Sequence, residues 1–188
     1  MSDDPFTACL SFTLKYEGGY VDHPADPGGA TNFGVTRATL ARWRKRPVTK
    51  AEVKALTRDE AAGIYRHFYW EPCNGPILPP GVDAVVFDWA VHSGPARAVG
   101  ALQKALGLEA DQARAAALAM ALRKADPART IRALCSERRK FLARLKGFSV
   151  FGRGWSRRVD ALETFALALA RRSVGERGRS LKLTSEGA

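Results

Sequence analysis

The chain is 188 residues long, 46% hydrophobic and 26% charged, with 30 Lys and Arg against 19 Asp and Glu and a net charge of +11. That length buries a real core and suits one compact domain or a domain with an appendage, and the ordinary composition excludes a fibrous or wholly disordered chain. No stretch approaches the roughly 18 uninterrupted apolar residues that a membrane-spanning helix requires.

The positive charge is unevenly placed. Residues 1–126 carry 15 basic and 14 acidic side chains, whereas residues 127–188 carry 15 and 5. A basic C-terminal third points to a polyanionic partner: nucleic acid, an anionic membrane surface, or a cell wall with its peptide carboxylates and attached polymers. Nucleic-acid-binding motifs are absent, and the basic residues fall on terminal helices and a tail rather than on one recognition helix. No nucleic-acid partner is therefore expected.

The N-terminus, MSDDPFTACLSF, has acidic residues where an export signal needs basic ones. The expectation is a monomeric protein that stays cytoplasmic until released to the periplasm or cell wall. Cys9, Cys73 and Cys135 are far apart and show no metal-ligand spacing, which reads as buried, reduced thiols. No metal and no cofactor is implied.

In chain order, Phe6 to Tyr16 reads as a buried helix that ends at Glu17, because Gly18-Gly19 supplies the dihedrals of a helix end. A carboxylate there meets the partial negative charge of the macrodipole, which favours its protonated form and suits a general acid. Asp26-Pro27-Gly28-Gly29 is a strong turn signal, and Thr31 to Thr36 reads as the return strand of a small ribbon. Such a ribbon is expected to bring Asp26 and Thr31 across a cleft from Glu17. Glycoside hydrolysis needs two carboxyl groups so placed.

Thr36 is expected to cap a helix to Arg46, and Thr49 and Thr57 the next two, the last running to Trp70. Val82 to His92 reads as the central buried helix, followed by Pro95 to Leu106, Asp111 to Lys124 and Asp126 to Lys146. Gly147 to Gly154 reads as a connector, Trp155 to Arg172 as the last helix, and residues 173–188 as a disordered basic tail.

Three ordered blocks carry a family resemblance: EGGYVDHPADPGGATNFGVT from Glu17, VFDWAVHSGPARAVGALQKALG from Val86, and FGRGWSRRV from Phe151. Together they resemble glycoside hydrolase family 108, the N-acetylmuramidases that include phage endolysins. The spacing of Glu17, Asp26 and Thr31 also resembles the Glu, Asp, Thr motif of phage lysozymes. The resemblance implies a mainly α, lysozyme-like α+β fold with a short β-ribbon after the first helix. It divides the chain into a catalytic part at 1–94, a helical part at 95–172 resembling a peptidoglycan-binding region, and the tail. The implied activity is cleavage of the β-1,4 bond between N-acetylmuramic acid and N-acetylglucosamine in peptidoglycan.

Candidate site residues follow from both readings. Glu17 is the expected acid. Asp26 is either the base or stabiliser of the cation or a turn former, with Asp22 and His23 as competitors. Thr31 and Asn32 either orient water or an N-acetyl group or serve the ribbon. Tyr20, Tyr69 and Trp70 offer faces for sugar rings. Asp88 and His92, four apart on one helix face, either line the cleft or form a satisfied core pair. A zinc-dependent wall amidase or peptidase using His23, His67 and His92 with Asp22 or Asp26 is one rival reading, though no local ligand pair such as HExxH is present. A non-catalytic basic module that binds wall or nucleic acid is the other.

Overall fold

The computed structural model describes residues 4–22, 29–108 and 115–185, with side chains to Ser173 in the last helix. Asp26 and His23 lie outside the described residues, as does the start of the helix expected from Asp111. Two compact units divide the chain, Met1–Pro72 and Cys73–Ala188.

In the first unit, α1 (Pro5–Glu17) starts where the Asp4 side chain accepts from the Phe6 amide, and Pro5 fills a position that needs no N–H donor. Phe6, Cys9, Leu10 and Phe12 are buried along it. Gly18, at φ +72°, ends it immediately after Glu17. The ribbon is a hairpin of β1 (Thr31–Asn32) and β2 (Val35–Thr36), in register Thr31 with Thr36 and Asn32 with Val35. Val21 adds an antiparallel bridge to Thr31, each amide donating to the other's carbonyl at 2.8 Å.

The expected continuous return strand is therefore broken at its centre. Phe33 and Gly34 both have positive φ, the sign pattern of a two-residue type I′ turn, whose twist matches that of paired strands.

Three helices follow: α2 (Arg37–Arg44), α3 (Lys50–Lys54) and α4 (Arg58–Tyr65), capped by Thr36, Thr49 and Thr57. Arg44 grips Glu60 with two parallel bonds, 2.8 and 2.7 Å, and reaches Glu52 at 3.0 Å, which ties the three together. Below α4 the helix widens into a π-helical turn over Arg66–Trp70. Such turns change the phase at which side chains emerge.

The second unit is a helical packing of α5 (Val82–Ser93), α6 (Pro95–Ala105), α7 (Ala115–Lys124), α8 (Pro127–Ala143) and α9 (Phe148–Ser185). α5 is buried along nearly its whole length and packs on α6, α8 and α9. Gly81, at φ +89°, permits the start of α5 to approach α9: a Cβ there would stand 2.2 Å from the Ala166 carbonyl oxygen. Cys73 and Cys135 are buried free thiols, and burial pushes each up to about 12, so they stay protonated.

Two expectations fail in α9. The stretch Gly147 to Gly154 is not a connector, because the helix already begins at Phe148. Gly152 is tolerated because the Phe148 ring lies where a side chain would stand, 2.8 Å from a built Cβ. The tail expected to be disordered from Ser173 continues the helix to Ser185. Extending an existing helix adds one bond per residue without a new nucleus, so a polar continuation costs little. Among the described residues, no helix is long and apolar enough to cross a membrane.

Candidate active site

Glu17 stands half-buried at the last position of α1. The group set against it is the hairpin turn. A Cβ at Gly34 would lie 2.9 Å from Glu17 Oε2 and 2.5 Å from the Tyr65 hydroxyl, so carboxylate, phenol and bare backbone meet at one point. Tyr65 Oη donates to the Phe33 carbonyl at 2.8 Å and pins the turn in place.

Gly34→Ala tests that meeting point directly. The residue has φ +73°, where a side chain costs about 1–2 kcal/mol, and the methyl would displace the carboxylate. The expected result is a melting temperature lowered by a few degrees and an activity loss at 25 °C far larger than the unfolded fraction explains. Thermal melts beside rate measurements read both.

Tyr69, one helical step beyond Tyr65, has its ring centroid 5.6 Å from the Tyr65 ring. Its phenol is pushed up by burial, drawn partly back by Arg42 and raised again by the nearby Glu17 charge. It therefore remains a neutral hydrogen-bond donor. Tyr20 is 36% exposed and carries Lys54 Nζ 5.8 Å from its ring centroid. Asp22 is occupied by Lys50 at 3.0 Å. Thr31 is half-buried, with Oγ1 donating to the Gly29 carbonyl at 3.3 Å.

Several expected contacts with substrate are corrected by burial. Asn32 is 6% exposed, and its amide donates to the Val53 and Lys54 carbonyls, both at 3.1 Å, clamping the hairpin to the end of α3. Trp70 is 2% exposed and lies edge-on to Phe6, which leaves it no face for a sugar.

Asp88 and His92 belong to the second unit. Asp88 is fully buried and holds two guanidiniums: Arg138 at 2.7 Å, and Arg158 through Nε at 3.1 Å and Nη2 at 2.7 Å. It is the centre of a core ion triad rather than a sugar contact. His92 is half-buried, with Nδ1 3.0 Å from Ser93 Oγ and its ring edge-on to Trp155.

The triad, His92 and the buried Asp83 together shape the acid behaviour of the second unit. Burial alone would raise Asp88, but the two arginines outweigh it and hold the carboxyl down at about 2. Burial, then the same arginines, pushes His92 down to about 4. On acidification the unfolded chain takes up a proton at His92 below 6.5, which the folded chain refuses until about 4. The His92 share of stability is lost across that window. Asp83, whose carboxyl burial pushes up to about 6, returns stability as it takes its proton between about 6 and 3.8. The Asp88 share is lost from 3.8 through about 2. Urea titrations at stepped pH should show the lower stage, and His92→Gln should gain stability relative to the parent as the pH falls from 6.5 to 4.

Sequence reasoning named Tyr69 but missed Tyr65 and Gly34. The signal for Tyr65 was its place four residues before Tyr69 on the same helix face. Gly34 was visible as the second residue of a Phe-Gly pair between strand-forming residues.

The family model described as Glycosyl hydrolase 108 matches residues 10–94, from within α1 to the end of α5. Among solved structures, the chain is similar to Brucella abortus SagA, with 49% identity over 88% of this chain and 95% of that one, at a TM-score of 0.79. No curated protein matches.

Proposed function

Since the chain belongs to the glycosyl hydrolase 108 family, a lysozyme-like α+β family of glycoside hydrolases, we propose that it is an N-acetylmuramidase acting on bacterial peptidoglycan. The bond cleaved is the β-1,4 link between N-acetylmuramic acid and N-acetylglucosamine, and the setting is host cell lysis by an endolysin. The observation that carries the reading is Glu17, half-buried at a helix end and packed against a bare glycine turn and a fixed tyrosine.

Glu17 is the general acid. It delivers a proton to the glycosidic oxygen as the bond to the anomeric carbon breaks, and water adds to that carbon. Gly34 leaves the approach to the carboxylate free of side-chain bulk. Tyr69 and Tyr20 supply a phenol donor and an exposed ring for the sugars. Thr31 is the candidate for orienting water, and Asp26 for accepting its proton or stabilising the cation.

The basic second half draws the enzyme to the anionic wall, an attraction that added salt screens. A helical part at 95–172 that itself grips peptidoglycan fits the same reading.

Digestion of purified peptidoglycan tests the reaction class. A muramidase releases reducing sugar ends and no new amino groups. New free amines without reducing ends would identify an amidase or peptidase instead.

A further inference from the structure

Arg42 is exposed on α2, and its Cζ stands 3.8 Å from the centroid of the Phe68 ring. That ring is itself fixed. Trp43 meets it edge-on at 6.2 Å and His67 at 4.8 Å between centroids. The Trp43 ring in turn rests on Gly63, 3.4 Å from a built Cβ. A guanidinium held on an aromatic face gives up rotamer freedom before any ligand arrives.

The arginines that follow are engaged. Arg44 bonds Glu52 and Glu60, and Arg46 bonds Glu52. Among the described residues no carboxylate pairs with Arg42, so its N–H groups are available to a ligand.

Its place ties it to the acid. Phe68 and Tyr69 are consecutive on the π-helical turn Arg66–Trp70, a widened geometry that recurs at functional sites. Tyr69 lies beside Tyr65, 5.6 Å between centroids, and the Tyr65 hydroxyl meets the Glu17 carboxylate at Gly34. Beyond the effect of burial, Arg42 draws the Tyr69 phenol down and Glu17 raises it, so both charges act on one side chain. Contacts thus run from Glu17 through Tyr65 and Tyr69 to Phe68 and Arg42.

Given the muramidase reading above, we propose that Arg42 is a specificity-determining residue that pairs with a carboxylate on the muramic-acid substituent of the glycan. On a strand of alternating N-acetylmuramic acid and N-acetylglucosamine, that substituent carries every anionic group. The group is its own lactyl carboxylate or a carboxylate of an attached peptide. A guanidinium presents parallel N–H groups that match the two oxygens of a carboxylate. Hydroxyl and acetamido groups carry no charge to answer it. Arg42 thereby selects which sugar stands beside Glu17, and with it which of the two alternating bonds is cleaved.

Glycan strands freed of peptides, with the lactyl carboxylate either free or amidated, are digested by the parent and by Arg42→Gln. On free strands the variant should raise KM about tenfold while kcat stays within about twofold. On amidated strands the two proteins should share one KM. Comparing the two ratios removes the general attraction of the basic second half, which both proteins keep. Strands that still carry peptides separate the two sources. A tenfold ratio confined to them, and abolished by amidation, assigns the pairing to a peptide carboxylate.

A KM ratio that amidation leaves unchanged on both kinds of strand overturns the proposal, as does a change in kcat alone. A lowered melting temperature with that unchanged ratio would make Arg42 a structural clamp on Phe68. A parent that releases no reducing ends from any strand overturns the muramidase reading itself, and the role of Arg42 with it.

Discussion

Glu17→Gln should clear purified peptidoglycan about 10²–10⁴-fold more slowly than the parent, the span that general acid catalysis contributes. The substitution keeps the size and polarity of the side chain and removes only the titrating proton. The residue is half-buried at a helix end, beside a glycine whose missing side chain leaves it room. The variant should therefore melt with the parent and still bind the wall. A rate within threefold of the parent would remove Glu17 from the chemistry. A rate loss accompanied by a large fall in melting temperature would assign it a structural part instead.

Asp88→Ala should cost on the order of 3–5 kcal/mol, the usual penalty for breaking a buried ion pair by removing one partner. Two guanidiniums bond that carboxylate, Arg138 at 1% exposure and Arg158 at 7%. Even with Asp88 in place, Arg138 Nε is buried without a partner among the described residues. Removing the carboxylate takes from both buried guanidiniums the charge that they share. At the size of this chain the loss corresponds to a melting temperature lower by on the order of 10 °C. Had Asp88 contacted sugar, the same change would weaken substrate binding and spare the melting temperature. A full melt beside a KM measurement separates the two.

The two residues show how far sequence alone reaches. Glu17 was legible because its signal is local: an apolar helix, one carboxylate and two glycines in succession. The caps at Thr36, Thr49 and Thr57 were legible for the same reason. The partners of Asp88 stand 50 and 70 residues further on, and no spacing rule connects them. Asp88 and His92 share a helix face, so they looked like a pair, but pairing was decided by what packed against that face.

The ribbon was legible in kind and not in detail. Asp26-Pro27-Gly28-Gly29 is the stronger turn signal and masked the weaker Phe33-Gly34, where the hairpin reverses. The glycines at 147, 152 and 154 read as breakers because propensity counts against them. At Gly152 an aromatic ring occupies the vacant space, and tertiary packing decides the outcome. Burial removed Trp70 and Asn32 from the candidate site, since an aromatic or an amide on a short element reads alike whether it faces core or cleft.

The central claim is the bond that is cleaved, and the most direct measurement is mass spectrometry of borohydride-reduced fragments from purified peptidoglycan. Reduced N-acetylmuramic acid at the new ends, produced by the parent and not by Glu17→Gln, is the result expected here. Reduced N-acetylglucosamine ends, or free peptides without reduced sugars, would contradict it.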